Sequence, residues 1–177
     1  MRQFYTLEDE DHKKTWAESC CYEHQYDFLR DDLYKQPLEY PYMYEMRNGV
    51  FKDYTGTDAH PIFSKKFRDI INEFVPKDKL EWIHIKVKDK DGTIKDAYVP
   101  RFIPKPHMFE VLNEELTVLT DLGELMVPRL STEKTKDKHF IRLFENSYIN
   151  YVSEDLKKAI QKAKLTGVKF EKVKMYP

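Results

Sequence analysis

The C-terminal stretch His139–Val173 constrains the fold most, because its pattern predicts two strands, a capped helix and a final strand in succession. Apolar and polar residues alternate over 139–144, as they do in a half-buried strand. Ser153 is placed to cap the helix, since its hydroxyl can accept a hydrogen bond from a backbone N–H of the first turn. Gly167 is placed to end it, because glycine adopts a positive φ at little cost. The helix has one apolar stripe, formed by Leu156, Ala159, Ile160 and Ala163.

A similar pattern occurs in the middle of the chain. Ser64 is placed to cap a second short helix, and the run 80–87 after it is strongly β-prone. Asp91-Gly92 is typical of a hairpin turn. The returning strand contains Pro100, which indicates a sheet edge or a bulge. We interpret about 63–87 and about 152–173 as two similar helix–strand modules, although any capped amphipathic helix before a strand shares this pattern.

The other segments are less regular. Phe4–Leu7 is predicted to be a short strand, and Thr15–Leu33 has a weak helical pattern. Tyr40–Tyr44 indicates an edge strand or an extended arm. Residues 108–125 permit either a helix or a strand. Residues 124–127 are predicted to form a strand.

These patterns predict an α+β protein with a mixed β-sheet and a few short flanking helices. The length of 177 residues and a hydrophobic content of 41% favour a single domain spanning 1–177. Within it, 1–59 is an irregular acidic front portion and 60–177 is the main portion.

The expected cellular compartment follows from two signals that we do not find in the sequence and from its cysteines. No apolar run approaches the length needed to cross a bilayer, so we expect no membrane association. Acids follow directly after Leu7, so we expect no signal peptide. Cys20 and Cys21 are adjacent and are expected to be reduced thiols, which indicates a cytoplasmic protein.

We expect no catalytic residue, no cofactor and no metal. None of the six histidines forms an i, i+4 zinc pair, and no phosphate loop or nucleophile elbow occurs. His84 and His139 lie in or beside strands and are interpreted as structural. Asp89-x-Asp91-Gly92 lacks the later ligands of a calcium loop. Cys20 or Cys21 with His24 could form a nucleophile pair, but proximity in sequence does not establish the needed geometry.

Charge is unevenly distributed along the chain. Residues 1–60 have thirteen acids and seven bases, a net charge of −6, whereas 61–177 have a net charge of +5. Acidic groups steer basic partners and tyrosines are enriched at binding hot spots. The predicted partner-binding residues are therefore Asp27, Asp31, Asp32, Tyr40, Tyr42 and Tyr44. Lysines 157–174 could contact nucleic-acid phosphates, but they alternate with acids and are interpreted as a solvated helix face.

The sequence also resembles a known family. The matching segments are Phe63-Ser64 to Phe74, Trp82 to Val87, His139-Phe140-Ile141-Arg142-Leu143, Val152-Ser153 to Ala159, and Leu165-Thr166-Gly167-Val168-Lys169-Phe170. In these segments the chain resembles the immunity proteins of bacterial polymorphic toxin systems, best over 139–173 and little over 1–59. It departs from the family pattern at Tyr98-Val99-Pro100.

The resemblance implies a cytoplasmic protein that binds one cognate toxin and neutralises it by occlusion, without catalysis. It supplies no active-site residues. Two other functions are compatible with the sequence: an enzyme with a dispersed site that uses His84 or Cys20, and a nucleic-acid-binding accessory protein.

Overall fold

The computed structural model describes residues 2–10, 14–20, 43–57, 60–103, 107–143 and 149–177. These residues form a closed six-stranded barrel, a four-stranded sheet, a two-stranded hairpin and two α-helices. The α+β class and the short helices are confirmed, whereas the closed barrel was not predicted. The strands are β1 Phe4–Asp9, β2 Trp16–Ser19, β3 Tyr44–Asn48, β4 Tyr54–Thr57, β5 Ile62–Phe63, β6 Leu80–Lys88, β7 Ile94–Phe102, β8 Val118–Leu119, β9 Leu125–Val127, β10 Phe140–Arg142, β11 Asn150–Ser153 and β12 Val168–Lys172. The helices are α1 Lys65–Asn72 and α2 Glu154–Lys162.

The barrel has the strand order β2-β3-β6-β7-β5-β4, and a short parallel pairing of β4 with β2 closes it. Its longest ladder joins β6 to β7 antiparallel, from Leu80↔Phe102 to Lys88↔Ile94. The β6–β7 turn contains Gly92 at φ +85°, so the predicted hairpin is confirmed. Alternate β6 residues point into one apolar cluster that β2, β3, β5 and β7 also supply.

The four-stranded sheet has the order β10-β11-β1-β12, and every neighbouring pair is antiparallel. The mixed pairing therefore lies in the barrel. Strand β1 comes from the N-terminal part of the chain, yet it lies between two C-terminal strands. The predicted strands near 4–7, 139–144, 148–152 and 168–173 are all present in this sheet.

The two helix–strand segments share one topology. Helix α1 connects β5 to β6, and both strands pair antiparallel with β7 between them. Helix α2 connects β11 to β12, and both pair antiparallel with β1 between them. Ser64 and Ser153 cap the helices by accepting from the N–H of Phe67 at 3.2 Å and of Leu156 at 3.3 Å. The chain thus contains two split β-α-β units.

The barrel and the sheet are joined by an aromatic cluster. The ring of Phe63 in β5 lies 5.1 Å from that of Phe67, 5.7 Å from Trp82 and 6.4 Å from Phe140 in β10, measured between centroids. These rings meet edge to face, an arrangement that aromatic side chains favour. The buried faces of α1 and α2 pack into the same cluster.

The structure corrects one sequence interpretation and decides between the open alternatives in two other segments. Residues 16–19 of the weakly helical segment Thr15–Leu33 form strand β2, and residues 21–33 lie outside the described residues. In 108–125, a 3₁₀ turn at Met108–Glu110 precedes strand β8, so the strand alternative holds for 118–119. Pro100 lies opposite Trp82 in a ladder without a register shift, and β5 pairs with β7 only at Tyr98, so the edge interpretation holds.

Candidate functional site

Most of the predicted partner surface lies outside the described residues: Asp27, Asp31, Asp32, Tyr40 and Tyr42. Tyr44 is described and is 0% exposed. Its hydroxyl lies 3.1 Å from Nε2 of His60, which is also buried. The prediction that Tyr44 contacts a partner is therefore wrong, because its ring belongs to the barrel core.

Three of the six described acids of the front portion have a basic neighbour within 4 Å. Glu8 lies 2.8 Å from Lys169, Glu18 pairs with Arg47, and Glu45 lies 3.5 Å from Lys88. Residues 21–42 contain five acids and two bases. Their net charge of −3 is half of the net charge of −6 of residues 1–60. An acidic partner surface in the front portion would therefore depend mainly on 21–42.

A cleft of about 400 Å³ lies between the end of α1, the end of β7, the 3₁₀ turn and β10. Phe102 and Phe140 stack in its wall with ring centroids 5.7 Å apart. Its polar lining contains both signs of charge: Lys79, His107, Glu110, Asp137, Lys138, His139 and Arg142. Apolar walls with a few polar groups are typical of small-molecule sites.

His139 at this cleft is part of the cap of α2. Its Nδ1 lies 2.8 Å from Oγ of Ser153, the same oxygen that accepts from the N–H of Leu156. Burial lowers the pKa of His139, and the charge of Arg2 lowers it further. A neutral ring with an unprotonated Nδ1 can accept a hydrogen bond from the Ser153 hydroxyl. The geometry thus agrees with the structural role predicted for His139.

Arg142 is a buried cation that lines the cleft. It is 2% exposed, and its guanidinium donates to the carbonyl oxygen of Pro100 at 3.1 Å. Burial lowers its pKa to about 10, while Tyr54 and Tyr44 oppose that shift. Because Arg142 lies in β10 and Pro100 in β7, this hydrogen bond ties the sheet to the barrel.

His84 forms an exposed cluster on the outside of the barrel. Its Nε2 lies 2.7 Å from Oδ1 of Asp96, and its ring stacks on Tyr98 at 5.3 Å. Lys86 lies 2.5 Å from the same oxygen, and Lys86 and then His84 lower the pKa of Asp96. The carboxylate can orient the imidazole, but these contacts also serve an ordinary cross-strand ion cluster. Within the described ranges, no group of three or more His, Cys, Asp or Glu residues could hold a metal ion.

Several C-terminal lysines have partners within the protein. Lys157 lies 3.6 Å from the centroid of the Tyr5 ring, and Lys158 lies 3.2 Å from Glu154. Lys169 is held by Glu8, which raises the pKa of the lysine. These contacts favour the interpretation of this face as a solvated surface.

Across the described residues, no helix is both long and apolar enough to span a membrane. Comparison of the sequence with protein-family models finds no match, and comparison with curated proteins finds none either.

Proposed function

We propose that this chain is an immunity protein that binds one cognate bacterial toxin and neutralises it by covering the toxin's active site. The observation that carries the proposal is the resemblance over residues 139–173. The residues that carry it have defined structural roles: Ser153 caps α2, His139 supports that cap, and Gly167 has φ +80°.

The resemblance therefore concerns the second split β-α-β unit, which is a framework. In a family whose members share a framework and recognise different toxins, specificity would come from surfaces outside that unit. This agrees with a partner surface in the front portion, where the likeness is weakest. Occlusion requires a preformed surface and no chemistry by the chain itself.

The test is a protection assay. The toxin-bearing reading frame next to the gene for this chain would be expressed in bacteria with and without this chain. We expect growth arrest by the toxin alone and rescue by the chain, and we expect the two purified proteins to form a stoichiometric complex. Growth arrest that persists at high levels of the folded chain, together with no complex, would refute the proposal.

The same proteins would separate this proposal from its rivals. A nucleic-acid-binding accessory protein would bind DNA or RNA with a steep salt dependence and without the toxin. An enzyme with a dispersed site would lose protection when His84 or Cys20 is replaced, whereas an occluding protein would keep it.

A further inference from the structure

The hairpin formed by residues 113–127, which we call the apolar hairpin, exposes an unusual set of side chains. The described residues expose seven large apolar side chains, and four of them lie on this hairpin. The other three, Val50, Ile94 and Ile103, are separated along the chain. The four are Leu116 at 46%, Val118 at 43%, Leu122 at 87% and Met126 at 61% exposed.

The conformation of the apolar hairpin is fixed by hydrogen bonds within it and at its base. Asn113 donates its backbone N–H to the carbonyl of Arg129 at 2.7 Å, and its side-chain oxygen accepts from Leu116 at 2.9 Å. At the other end, the Thr120 N–H donates to the Glu124 carbonyl at 2.8 Å, and Gly123 has φ +80°. The backbone that carries the exposed apolar groups is therefore held in place, and it would lose little conformational freedom on binding.

The charge of the apolar hairpin has a single sign. Residues 113–127 contain four acids and no lysine, arginine or histidine. The acids are Glu114, Glu115, Asp121 and Glu124. Glu114 lies 2.7 Å from Lys134, which comes from outside the hairpin. Apolar groups among acids are complementary to a partner surface that has an apolar depression with a basic rim.

The same charge disfavours other occupants. A second copy would bring the acids of two hairpins together, and like charges across an interface oppose association. Nucleic acids and anionic membranes are also negatively charged. A basic protein remains as the occupant that both the apolar and the charged groups fit.

We propose that the apolar hairpin is a docking element for a basic protein surface, with Leu122 and Met126 as its apolar anchors. The inference rests on the proposed function, under which that protein is the cognate toxin. The apolar hairpin would be a second contact element, distant in sequence from the surface predicted in 21–42. It would hold the toxin after acidic groups have steered the two proteins together.

The experiment measures binding kinetics with the purified, catalytically inactivated toxin domain from the adjacent gene. The test variant is Leu122→Ala/Met126→Ala, and the matched control is Val50→Ala/Ile94→Ala, which shortens two exposed apolar side chains elsewhere. We expect the test variant to dissociate at least tenfold faster and the control to behave like wild type. A third variant, Glu115→Gln/Asp121→Asn/Glu124→Gln, should associate several-fold more slowly and with weaker salt dependence.

The outcomes are distinguishable. If wild type binds the toxin and the alanine and charge variants bind equally well, the inference is wrong and the proposed function stands. If wild type neither binds nor protects, both are wrong. If wild type sediments as a dimer that Leu122→Ala/Met126→Ala dissociates, the hairpin is a self-association surface and the inference is overturned. Circular dichroism should show that every variant is folded, since all replaced apolar side chains are exposed.

Discussion

Gly167→Ala should destabilise the protein more than Gly92→Ala, although both glycines have a similar positive φ, +80° and +85°. A Cβ on Gly167 would lie 2.2 Å from the carbonyl oxygen of Tyr54 and 2.9 Å from Cβ of Lys52. A Cβ on Gly92 would meet nothing within 4 Å. Comparing the two variants therefore separates the cost of backbone strain, which both share, from the cost of steric clash, which only Gly167→Ala has.

The expected magnitudes follow from these two terms. The left-handed conformation costs a residue with a Cβ about 1–2 kcal/mol, and a stiffer unfolded chain offsets about 0.4–1 kcal/mol of that. Gly92→Ala should therefore cost about 1 kcal/mol. Displacing the Tyr54 backbone adds about 1–3 kcal/mol, as in other overpacked sites. It also weakens the 3.1 Å hydrogen bond from the Tyr54 N–H to the Thr166 carbonyl. Gly167→Ala should therefore cost about 2–4 kcal/mol.

Urea denaturation and calorimetry would measure both variants. Each kcal/mol should lower the melting temperature by about 2–4 °C in a protein of this size. Gly123→Ala is a second control, since Gly123 has φ +80° and open space around the added Cβ. Equal losses of unfolding free energy in all three variants would show that the nearby Tyr54 carbonyl adds nothing to the cost of a Cβ at position 167.

Three further predictions concern the helix caps, pH and the front portion. Ser153→Ala and Ser64→Ala should each cost about 1 kcal/mol, because each removes the acceptor at a helix N-terminus; an unchanged urea midpoint in either would contradict the cap assignment. The lowered pKa of His139 means that the unfolded chain binds more protons, so stability should fall as pH drops below about 6.5 towards the folded pKa. His139→Gln should flatten this slope, and an NMR titration of His139 at or above its ordinary pKa would rule the effect out. Asp31→Asn/Asp32→Asn should slow association with the toxin and weaken its salt dependence, and wild-type kinetics would place the steering charges elsewhere.

The features that were predicted correctly depend on residues that are close together in the sequence. Ser64 and Ser153 each accept from an N–H three residues ahead, and Gly92 forms a turn between strands that pair with each other. Such signals are complete within a few residues. The alternation over 168–173 is also a local signal, and Val168 and Phe170 are half-buried whereas Lys169 and Glu171 are exposed. The run 140–143 alternates in sequence, but all four of its residues are buried.

The barrel was not predicted because the strands that close it are short and lie far apart in the sequence. Strand β5 has two residues, and β2 pairs with β4 through two residue pairs. Segments this short have no measurable periodicity. Tyr44 was misassigned for a related reason. Its burial depends on contact with His60 and on closure of the barrel. In the sequence, Tyr40, Tyr42 and Tyr44 occupy every second position, a pattern that is also typical of an exposed edge strand. The apolar hairpin was also missed, since apolar residues in a strand pattern predict burial by default.

The position of β1 has a consequence for the timing of folding during synthesis. Phe4 pairs with Ser153, and Tyr5 pairs with Lys172. Ribosomes add about 5–20 residues per second, so β1 emerges roughly 7–30 seconds before the strands on either side of it exist. Throughout that interval its apolar residues Phe4 and Leu7, both buried in the finished protein, have no sheet to join. The sheet therefore completes only after residues 150–172 have been synthesised, and chaperones have that interval in which to bind strand β1.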